Sequence, residues 1–231
     1  MEDGGSMRER LTQPIEDYLK AIYAITRQQP RASTNQIAEA LKITPASVTG
    51  MLKKLAETDP PLVDYQRHHG AALTPQGERV ALEVLRHHRL LEMFLHQILG
   101  YAWDEVHVEA DQLEHFISEK FEEQISKALG DPSHDPHGDP IPGRDLSLPG
   151  GALTALLALR PGQAAVVQRV NSADPQLLRH LGSLGLVPGA QVRVLTYSEF
   201  DRNLTIQIGG AAQDVVLGPA ITQQVFVQPA G

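Results

Sequence analysis

The chain has 231 residues, of which 42% are hydrophobic and 21% are charged, and its formal net charge is −8. These proportions are typical of globular proteins and exclude a fibre or a disordered tail protein, and no apolar run approaches the ~18 residues of a membrane-spanning helix. The lack of cysteine excludes disulfides, thiolate zinc fingers, iron–sulfur clusters and cysteine nucleophiles. The first ten residues contain no apolar stretch of the signal-peptide kind, so we expect a cytoplasmic protein of two or three domains with no membrane partner.

The negative charge is concentrated in the middle of the chain. Residues 1–79 carry no net charge, residues 80–150 carry −9 and residues 151–231 carry +1. The middle segment therefore has carboxylates to offer a cation, while the neutral first third can still present a basic face to nucleic acid.

The first third of the chain has the pattern of three helices followed by a β-hairpin. Apolar residues recur at the helical period over 15–23, and a short second helix follows. Thr44 before Pro45 has the N-cap and proline pattern of a third helix that runs to about residue 57. Alternating residues around a glycine-containing turn over 62–74 predict a two-stranded wing.

The third helix and the tip of the wing carry side chains suited to reading a DNA duplex. Short polar residues near a helix start can reach base edges in the major groove, and basic residues can contact phosphates. The candidates are Thr44, Pro45, Ala46, Ser47, Thr49, Gly50, Lys53, Lys54, Arg67 and His68. A helical bundle with a merely solvated Thr and Ser face is the alternative, and the layout favours DNA binding.

A long helix is predicted over 75–100, and two ionisable residues interrupt its apolar stripe. His88 and Glu92, one turn apart, lie within ~40° of the apolar positions on the helical wheel. Burying such a pair carries a large free-energy cost unless something compensates it, and a divalent cation is one such compensator. On this helix alone, a self-satisfied His–Glu hydrogen bond explains the pattern equally well.

The next helix, predicted over 105–129, favours the cation. Its candidate ligands, at i, i+4, i+7 and i+8, are His107, Asp111, Glu114 and His115. They occupy an arc of ~100° beside an apolar face. A structural salt-bridge network would supply Lys or Arg partners, and this face has none. Imidazole and carboxylate without sulfur favour the harder octahedral ions, manganese or ferrous iron.

The composition changes in the last part of the chain. Residues 130–151 are dense in Pro, Gly and Asp and predict an irregular connector. Short β-rich runs separated by Gly and Pro turns follow and indicate a small barrel. The predicted strands cover residues 165–170, 191–195, 204–208, 215–217 and 224–228.

Together these segments resemble the metal-dependent repressors of the diphtheria toxin repressor, iron-dependent regulator and manganese transport regulator type. The resemblance covers about residues 8–231, and five motifs in the same order make it highly specific. They are IEDYLKAIY at 15–23, ITPASVTGMLKKL at 43–55, HHRLLE at 87–92, VHVEADQLEH at 106–115 and DPHGDPIPG at 135–143.

The resemblance implies a mainly α-helical protein with small β parts in three domains. These are a winged helix-turn-helix at 7–79, a helical dimerisation and metal-binding domain with its connector at 80–150, and an SH3-like β-barrel at 151–231. It also implies a homodimer that binds a pseudo-palindromic site on double-stranded DNA. Metal would act as corepressor of metal-homeostasis genes.

The family builds two metal positions, and this chain has matching residues for both. The residues that match the first position are Asp17, Asp111, Glu114 and His115. Those that match the second are His88, Glu92 and His107. In some members the third domain also contributes to the second position, and Asp174 and Gln176 lie in a segment similar to that part of the domain.

Two departures from the family pattern bear on the choice of metal. Iron-type members have Met and Cys where this chain has Asp17 and Asp111, and carboxylates in place of sulfur favour Mn(II), with Fe(II) as the second choice. Manganese-type members have a further Glu where this chain has Lys20. Two separated sites are therefore expected instead of a closely spaced binuclear one.

We expect a metal-activated repressor in which a cation joins Asp17 on the first helix to ligands on the dimerisation helix, so that metal affinity and DNA affinity are linked. A winged-helix regulator that senses an organic ligand is one alternative. A metal-dependent hydrolase is another, and it is disfavoured because the sequence has no Gly-rich phosphate loop, nucleophile elbow or separate general base. No catalytic residue is assigned.

Overall fold

The computed structural model describes residues 11–209 and 214–230, and the chain divides into two compact units. The first unit contains the chain up to His87 together with Glu114–Ile117 and Pro142–Ser147, and the second contains the rest. Residues 7–10 of the predicted winged domain, and residues 210–213 and 231 of the predicted third domain, lie outside the described residues. The three predicted domain boundaries stay predictions.

Three helices open the first unit, and each starts at a local sequence signal. α1 (Gln13–Thr26) has proline in its first turn, and α2 (Thr34–Ala40) starts at a capping box formed by Ser33 and Gln36. α3 (Pro45–Ala56) starts after Thr44, whose hydroxyl accepts a hydrogen bond from the Ser47 N–H. The buried apolar residues of these helices include Ile15, Leu19, Ile22, Ile37, Val48, Leu52 and Leu55.

The wing consists of two antiparallel strands, β1 (Val63–Gln66) and β2 (Gly70–Leu73). Gly70 has a φ of +84°, and a Cβ there would lie 2.4 Å from the carbonyl oxygen of Ala32, so this position accepts only glycine. Ala32 and Ala71 exchange two backbone hydrogen bonds of 2.8 and 2.9 Å. These bonds attach the wing to the segment between α1 and α2.

The long helix α4 (Pro75–Gln97) contributes to both units, which meet in sequence between His87 and His88. Its N-terminal turn lies so close to the preceding loop that a Cβ on Gly77 would be 2.0 Å from the carbonyl oxygen of Leu62. The apolar residues of the predicted stripe within α4 are buried, apart from the half-buried Leu85, whereas Leu99 follows the helix and is 55% exposed.

The prediction of a single helix over 105–129 is wrong. The structure contains α5 (Val106–Leu113) and α6 (Glu119–Ala128), separated by Glu114–Ile117. The Ser118 hydroxyl accepts a hydrogen bond from the Phe121 N–H and caps α6. α5 has already ended at Leu113, and this N-cap starts a separate helix although the apolar period continues across the break.

A six-stranded antiparallel sheet forms the last part of the second unit, in the order β3-β8-β4-β5-β6-β7. The strands are β3 (Thr154–Ala155), β4 (Ala164–Val170), β5 (Gln191–Tyr197), β6 (Leu204–Ile208), β7 (Val215–Leu217) and β8 (Val225–Pro229). A 3-10 turn (Leu156–Ala158), α7 (Pro175–Leu184) and α8 (Pro219–Thr222) connect them, and the sequence reading missed these connections and β3. The strands surround a buried core of Val167, Leu181, Val194, Leu204, Ile206 and Val227 among others.

No helix within the described residues has the length and hydropathy needed to cross a membrane.

The contact between Gly77 and Leu62 yields a stability prediction. We expect Gly77→Ala to lower the free energy of unfolding by about 1–3 kcal/mol, because the new methyl group must displace backbone. Gly50→Ala is the matched control, since a Cβ at Gly50 on α3 meets no atom within 4 Å and alanine is the better helix former by about 1 kcal/mol. Urea unfolding of both variants tests this, and equal stabilities would contradict the close contact.

Candidate metal centres and nucleic-acid interface

The first candidate metal centre lies in the first unit and contains Asp17, Glu114 and His115. The Nε2 atom of His115 is 3.0 Å from an Asp17 oxygen and 3.4 Å from a Glu114 oxygen. One donor atom from each residue lies within 4.8 Å of the others. Glu114 and His115 are almost fully buried, whereas the Asp17 side chain is 38% exposed and opens the centre to solvent.

Two further residues of α1 join this centre, and the sequence reading did not assign them to it. A carboxylate oxygen of Glu16 lies 2.5 Å from Nδ1 of His115, which leaves Nε2 facing Asp17 and Glu114. The Lys20 ammonium lies 2.9 and 2.8 Å from the two oxygens of Glu114. The expectation that the acidic face has no Lys or Arg partner is therefore wrong. The partner comes from another helix, 94 residues earlier in the chain, so a wheel of one helix cannot show it.

The carboxylates around His115 make it a strong base. Burial alone would lower the pKa of the imidazole, but hydrogen bonds to Asp17 and Glu16 and the charge of Glu114 outweigh burial and raise the pKa to about 9. Without a metal ion, the imidazole is protonated at neutral pH and neutralises part of the acidic cluster.

The second candidate centre lies in the second unit, where α4 faces α5. The Nε2 atom of His88, the Nδ1 atom of His107 and one oxygen of Glu92 are mutually 3.0 Å apart. This triangle has the edge length of one octahedral face around an ion at ~2.1 Å from its ligands, a normal distance for divalent metals. The predicted grouping of these three residues therefore fits a metal.

Asp111 lies with this second group, behind the two imidazoles. Its oxygens are 3.3 Å from Nδ1 of His88 and 3.5 Å from Nε2 of His107, the ring nitrogens that face away from Glu92. A carboxylate in this position orients the rings and increases their basicity. The resemblance implies that Asp111 belongs to the first centre. In the structure its carboxylate contacts His88 and His107, and its assignment to one metal position stays a prediction.

The Glu92 carboxyl is ionised despite its burial. Burial opposes its charge, but the positive charge of His88 and hydrogen bonds from His107 and His88 hold the pKa of Glu92 well below its usual range. A buried carboxylate facing two imidazole nitrogens is a donor set for a divalent cation.

A third group shares Glu92, and its other members were missed. Nδ1 of His137 lies 3.9 Å from the second oxygen of Glu92 and 3.9 Å from an oxygen of Asp135, and all three residues are buried. Nε2 of His137 lies 2.7 Å from the carbonyl oxygen of Trp103 and donates to it, so Nδ1 carries the lone pair. This buried Nδ1 has no hydrogen-bond partner. An unpartnered lone pair between two carboxylates fits a cation.

The loop that carries this third group is ordered although the sequence around it is irregular. One oxygen of Asp135 accepts hydrogen bonds from the N–H groups of His137 and Asp139 at 2.8 and 2.9 Å. Gly138 has a φ of +88°, and a Cβ there would lie 1.9 Å from the carbonyl oxygen of Gln168. Burial and the charges of Glu92 and Asp139 raise the pKa of Asp135 well above its usual value. The signal in the sequence was the DPHGDP motif, which predicted a connector and no ligands.

Asp174 and Gln176 have a local structural role. An Asp174 oxygen accepts a hydrogen bond of 2.8 Å from the Gln176 N–H and caps α7. Both residues are exposed, and neither belongs to a metal-binding group within the described part of the chain. A ligand role for them stays a prediction.

The predicted DNA-reading residues form an accessible surface on the first unit. One side of α3 is buried through Val48, Leu52 and Leu55, so its other side faces outward. The exposed candidates are Thr44, Pro45, Ala46, Ser47, Gly50, Lys53 and Lys54 on α3, with Arg67 and His68 at the wing tip. Thr49 is half-buried, and its hydroxyl donates to the Pro45 carbonyl, which leaves it less available to a base.

Sequence comparison places these features in a known family. Residues 10–71 match the family described as iron dependent repressor, N-terminal DNA binding domain, and residues 74–143 match iron dependent repressor, metal binding and dimerisation domain. The chain is 33% identical over 198 residues to the iron-dependent repressor IdeR of Mycobacterium leprae, which covers 80% of this chain and 85% of that protein. The chain belongs to the iron-dependent repressor family.

The repressor is also similar to other metal-dependent regulators, one of which is described as manganese-dependent. It is 36% identical over 107 residues to the regulator MntR of Geobacillus kaustophilus, covering 46% of this chain and 74% of that protein. A solved manganese-dependent transcriptional repressor in complex with manganese is 40% identical, with a TM-score of 0.83 over 92% of this chain and 98% of that chain. ScaR with bound Zn²⁺ is 32% identical, with a TM-score of 0.75 over 93% and 98% of the two chains.

These likenesses confirm the predicted fold class. Residues 154–229 match the FeoA domain, which agrees with the predicted SH3-like third domain, and the helical DNA-binding and dimerisation parts agree with the other two. The repressor is therefore a metal-dependent DNA-binding regulator of metal homeostasis, as its family is.

The raised pKa of His115 yields a pH prediction for the metal-free repressor. The pKa of His115 is about 9 in the folded protein and that of an ordinary histidine is 6.5, so protonated His115 stabilises the fold fully below about pH 6.5. That contribution is lost as the pH rises through 9. We expect unfolding by urea in the presence of chelator to become easier from pH 6.5 to 9.5.

The control for this experiment is His180→Gln, at an exposed position on α7. His180→Gln should retain the pH dependence, whereas His115→Gln should flatten it. An equal slope in the wild-type protein and His115→Gln would contradict the raised pKa.

Proposed function

We propose that the repressor is activated by Mn(II), with Fe(II) as the second choice, and that it binds a pseudo-palindromic DNA site as a homodimer. The observation that carries the proposal is the centre formed by Asp17, Glu114 and His115. It combines a residue of α1 with two residues that follow α5, so one bound cation would hold both segments. Because Asp17 is partly exposed, a cation could enter from solvent.

The donor set supports a hard divalent ion. The three candidate groups contain imidazole nitrogens and carboxylate oxygens only, and such sets suit manganese, ferrous iron and zinc. The Irving–Williams order gives Mn(II) no intrinsic advantage, so selection for it depends on oxygen-rich ligands and geometry. Asp17 supplies such an oxygen where iron-type members carry sulfur.

Metal binding and DNA binding are coupled through α1 in this proposal. α1 contacts α2 and β2, and α2 contacts α3, so α1 supports both the reading helix and the wing. A cation on Asp17 would favour one position of α1 relative to Glu114 and His115. Metal and DNA would then raise each other's affinity by the same factor.

Exposed apolar side chains support the homodimer. Ile98 and Leu99 follow α4, Val108 lies on α5 and Phe121 lies on α6, and between 49% and 56% of each is exposed. Exposed apolar side chains mark an interface where they form a contiguous patch, and all four lie in the segment that matches the metal binding and dimerisation domain. A dimer through these helices would carry two reading heads for two half-sites.

The proposal differs from two alternatives in its dependence on metal. The relatives are transcriptional repressors, so we propose no enzymatic activity for this chain. A hydrolase would turn over a substrate without DNA, and a sensor of an organic ligand would bind DNA in the presence of chelator. Gel retardation with Mn(II), with and without chelator, distinguishes the three.

The first functional prediction concerns the metal-binding carboxylates. We expect Glu114→Gln to reduce Mn(II)-dependent DNA binding at least tenfold, because the neutral amide is a weak metal ligand. We also expect Mn(II) to change the fluorescence of Trp103, because its carbonyl accepts the His137 hydrogen bond and it is the only tryptophan in the sequence. Glu92→Gln should abolish this change. Glu123→Gln, in an exposed ion pair with Lys127, is the control. Full Mn(II)-dependent DNA binding by Glu114→Gln would show that this centre is not the activating one.

The second functional prediction concerns the phosphate contacts. Lys53→Ala and Lys54→Ala should each weaken binding to all DNA sequences and lower the slope of log affinity against log salt by about 1 per lost contact. Lys127→Ala on α6 is the control and should leave the slope unchanged. If the slope of both α3 variants equals that of the wild type, neither lysine contacts phosphate.

A further inference from the structure

We propose that Lys20 is a built-in competitor of the metal ion at the first centre, and that it sets the metal concentration at which this centre fills. The inference rests on the proposed function, because it assumes that Glu114 is a metal ligand. It adds a residue that binds no metal but determines how readily metal binds.

The contact that carries the inference is bidentate. The Lys20 ammonium lies 2.9 Å from one oxygen of Glu114 and 2.8 Å from the other, so it spans the edge of the carboxylate at which a cation would bind. Glu114 is 1% exposed and Lys20 is 21% exposed. The anion is therefore fixed in the interior, while the cation reaches it from the surface.

The difference in exposure determines which partner moves. Lysine carries its charge on a flexible four-carbon stem, so a partly exposed ammonium can leave for solvent at little cost. Glu114 has no such choice, because a carboxylate without a cation in the interior is strongly unfavourable. Glu114 thus requires a nearby cation, and in the metal-free protein Lys20 provides one together with protonated His115.

A divalent ion and the ammonium exclude each other at this carboxylate. Each is attracted by the same two oxygens, and like charges a few ångströms apart in a partly buried site repel strongly. The metal must therefore displace Lys20 from at least one oxygen, and the free energy of the ion pair is subtracted from that of metal binding. At a low concentration of free metal, Lys20 would therefore stay bound to Glu114.

This role predicts the opposite sign from a purely structural one. If Lys20 only stabilises the fold, removing it loosens the centre and weakens metal binding. If Lys20 competes, removing it strengthens metal binding although the metal-free protein becomes less stable.

The test uses Lys20→Met, which keeps the length of the side chain and removes its charge. Mn(II) binding to the full-length chain is followed by the electron paramagnetic resonance signal of free Mn(II), in a Glu92→Gln background that disables the two groups sharing Glu92. We expect Lys20→Met to bind Mn(II) about three- to tenfold more tightly than the parent, the effect of removing a partly buried ion pair. Thermal unfolding should show a lower Tm without metal and a larger increase in Tm on adding Mn(II).

Three variants define the controls. Lys20→Arg keeps the charge and should restore the parent's affinity to within about twofold. Lys127→Met removes a lysine from an exposed pair with Glu123, 2.9 Å apart, and should change neither quantity. If Lys20→Met does not fold, Lys20→Gln, which retains a hydrogen-bond donor, takes its place in the comparison.

The outcomes separate this inference from the proposed function. If the parent and Glu114→Gln bind the same amount of Mn(II), the first centre is not a metal site and the proposed function fails. If the parent binds such an ion and the neutral Lys20 variants bind it equally or more weakly, Lys20 is a structural partner and the inference is overturned. Tighter binding in the neutral variants, reversed in Lys20→Arg, supports it.

Discussion

The burial of ionised carboxylates is the constraint on which the candidate sites depend. Glu114 and Glu92 are 1% and 2% exposed, and each would destabilise the fold by several kcal/mol, roughly, without a compensating charge. The fold supplies that charge from its own side chains, through Lys20 and His115 in the first centre and through His88 and His107 in the second. A protein that folds before it binds metal needs such internal cations, and each of them then influences the affinity for the metal.

A second set of residues contacts the candidate ligand histidines on the side away from the acidic groups. Glu16 holds Nδ1 of His115, Asp111 faces the outer nitrogens of His88 and His107, and the Trp103 carbonyl holds Nε2 of His137. Each contact occupies one ring nitrogen and leaves the opposite nitrogen directed at the acidic group. Metal-ligating histidines in proteins are regularly supported in this way. The repetition at four histidines is a stronger argument for metal binding than the clustering of acidic residues alone.

Much of the fold was predictable because its signals are local. Thr44 before Pro45 located the reading helix, the Gly70 turn located the wing, and alternating residues located β4 to β8 to within a few positions. His88 and Glu92 were also predictable, since two ionisable residues on a buried stripe must satisfy each other or bind something. The contacts of Lys20 with Glu114 and of His137 with Glu92 were not predictable. Lys20 is 94 residues from Glu114, and His137 lies in a segment whose composition indicates only a connector.

The end of α5 at Leu113 explains why the candidate ligands of one motif contact different neighbours. The motif VHVEADQLEH reads as one helical face, and on that reading Asp111, Glu114 and His115 would point in one direction. Because Ser118 caps a new helix, the motif ends in a turn, and its ten residues serve both compact units. His107 and Asp111 remain on α5 with His88, while Glu114 and His115 turn toward α1. Helical periodicity can therefore identify candidate ligands from sequence, but only the position of the helix end determines which of them share an ion.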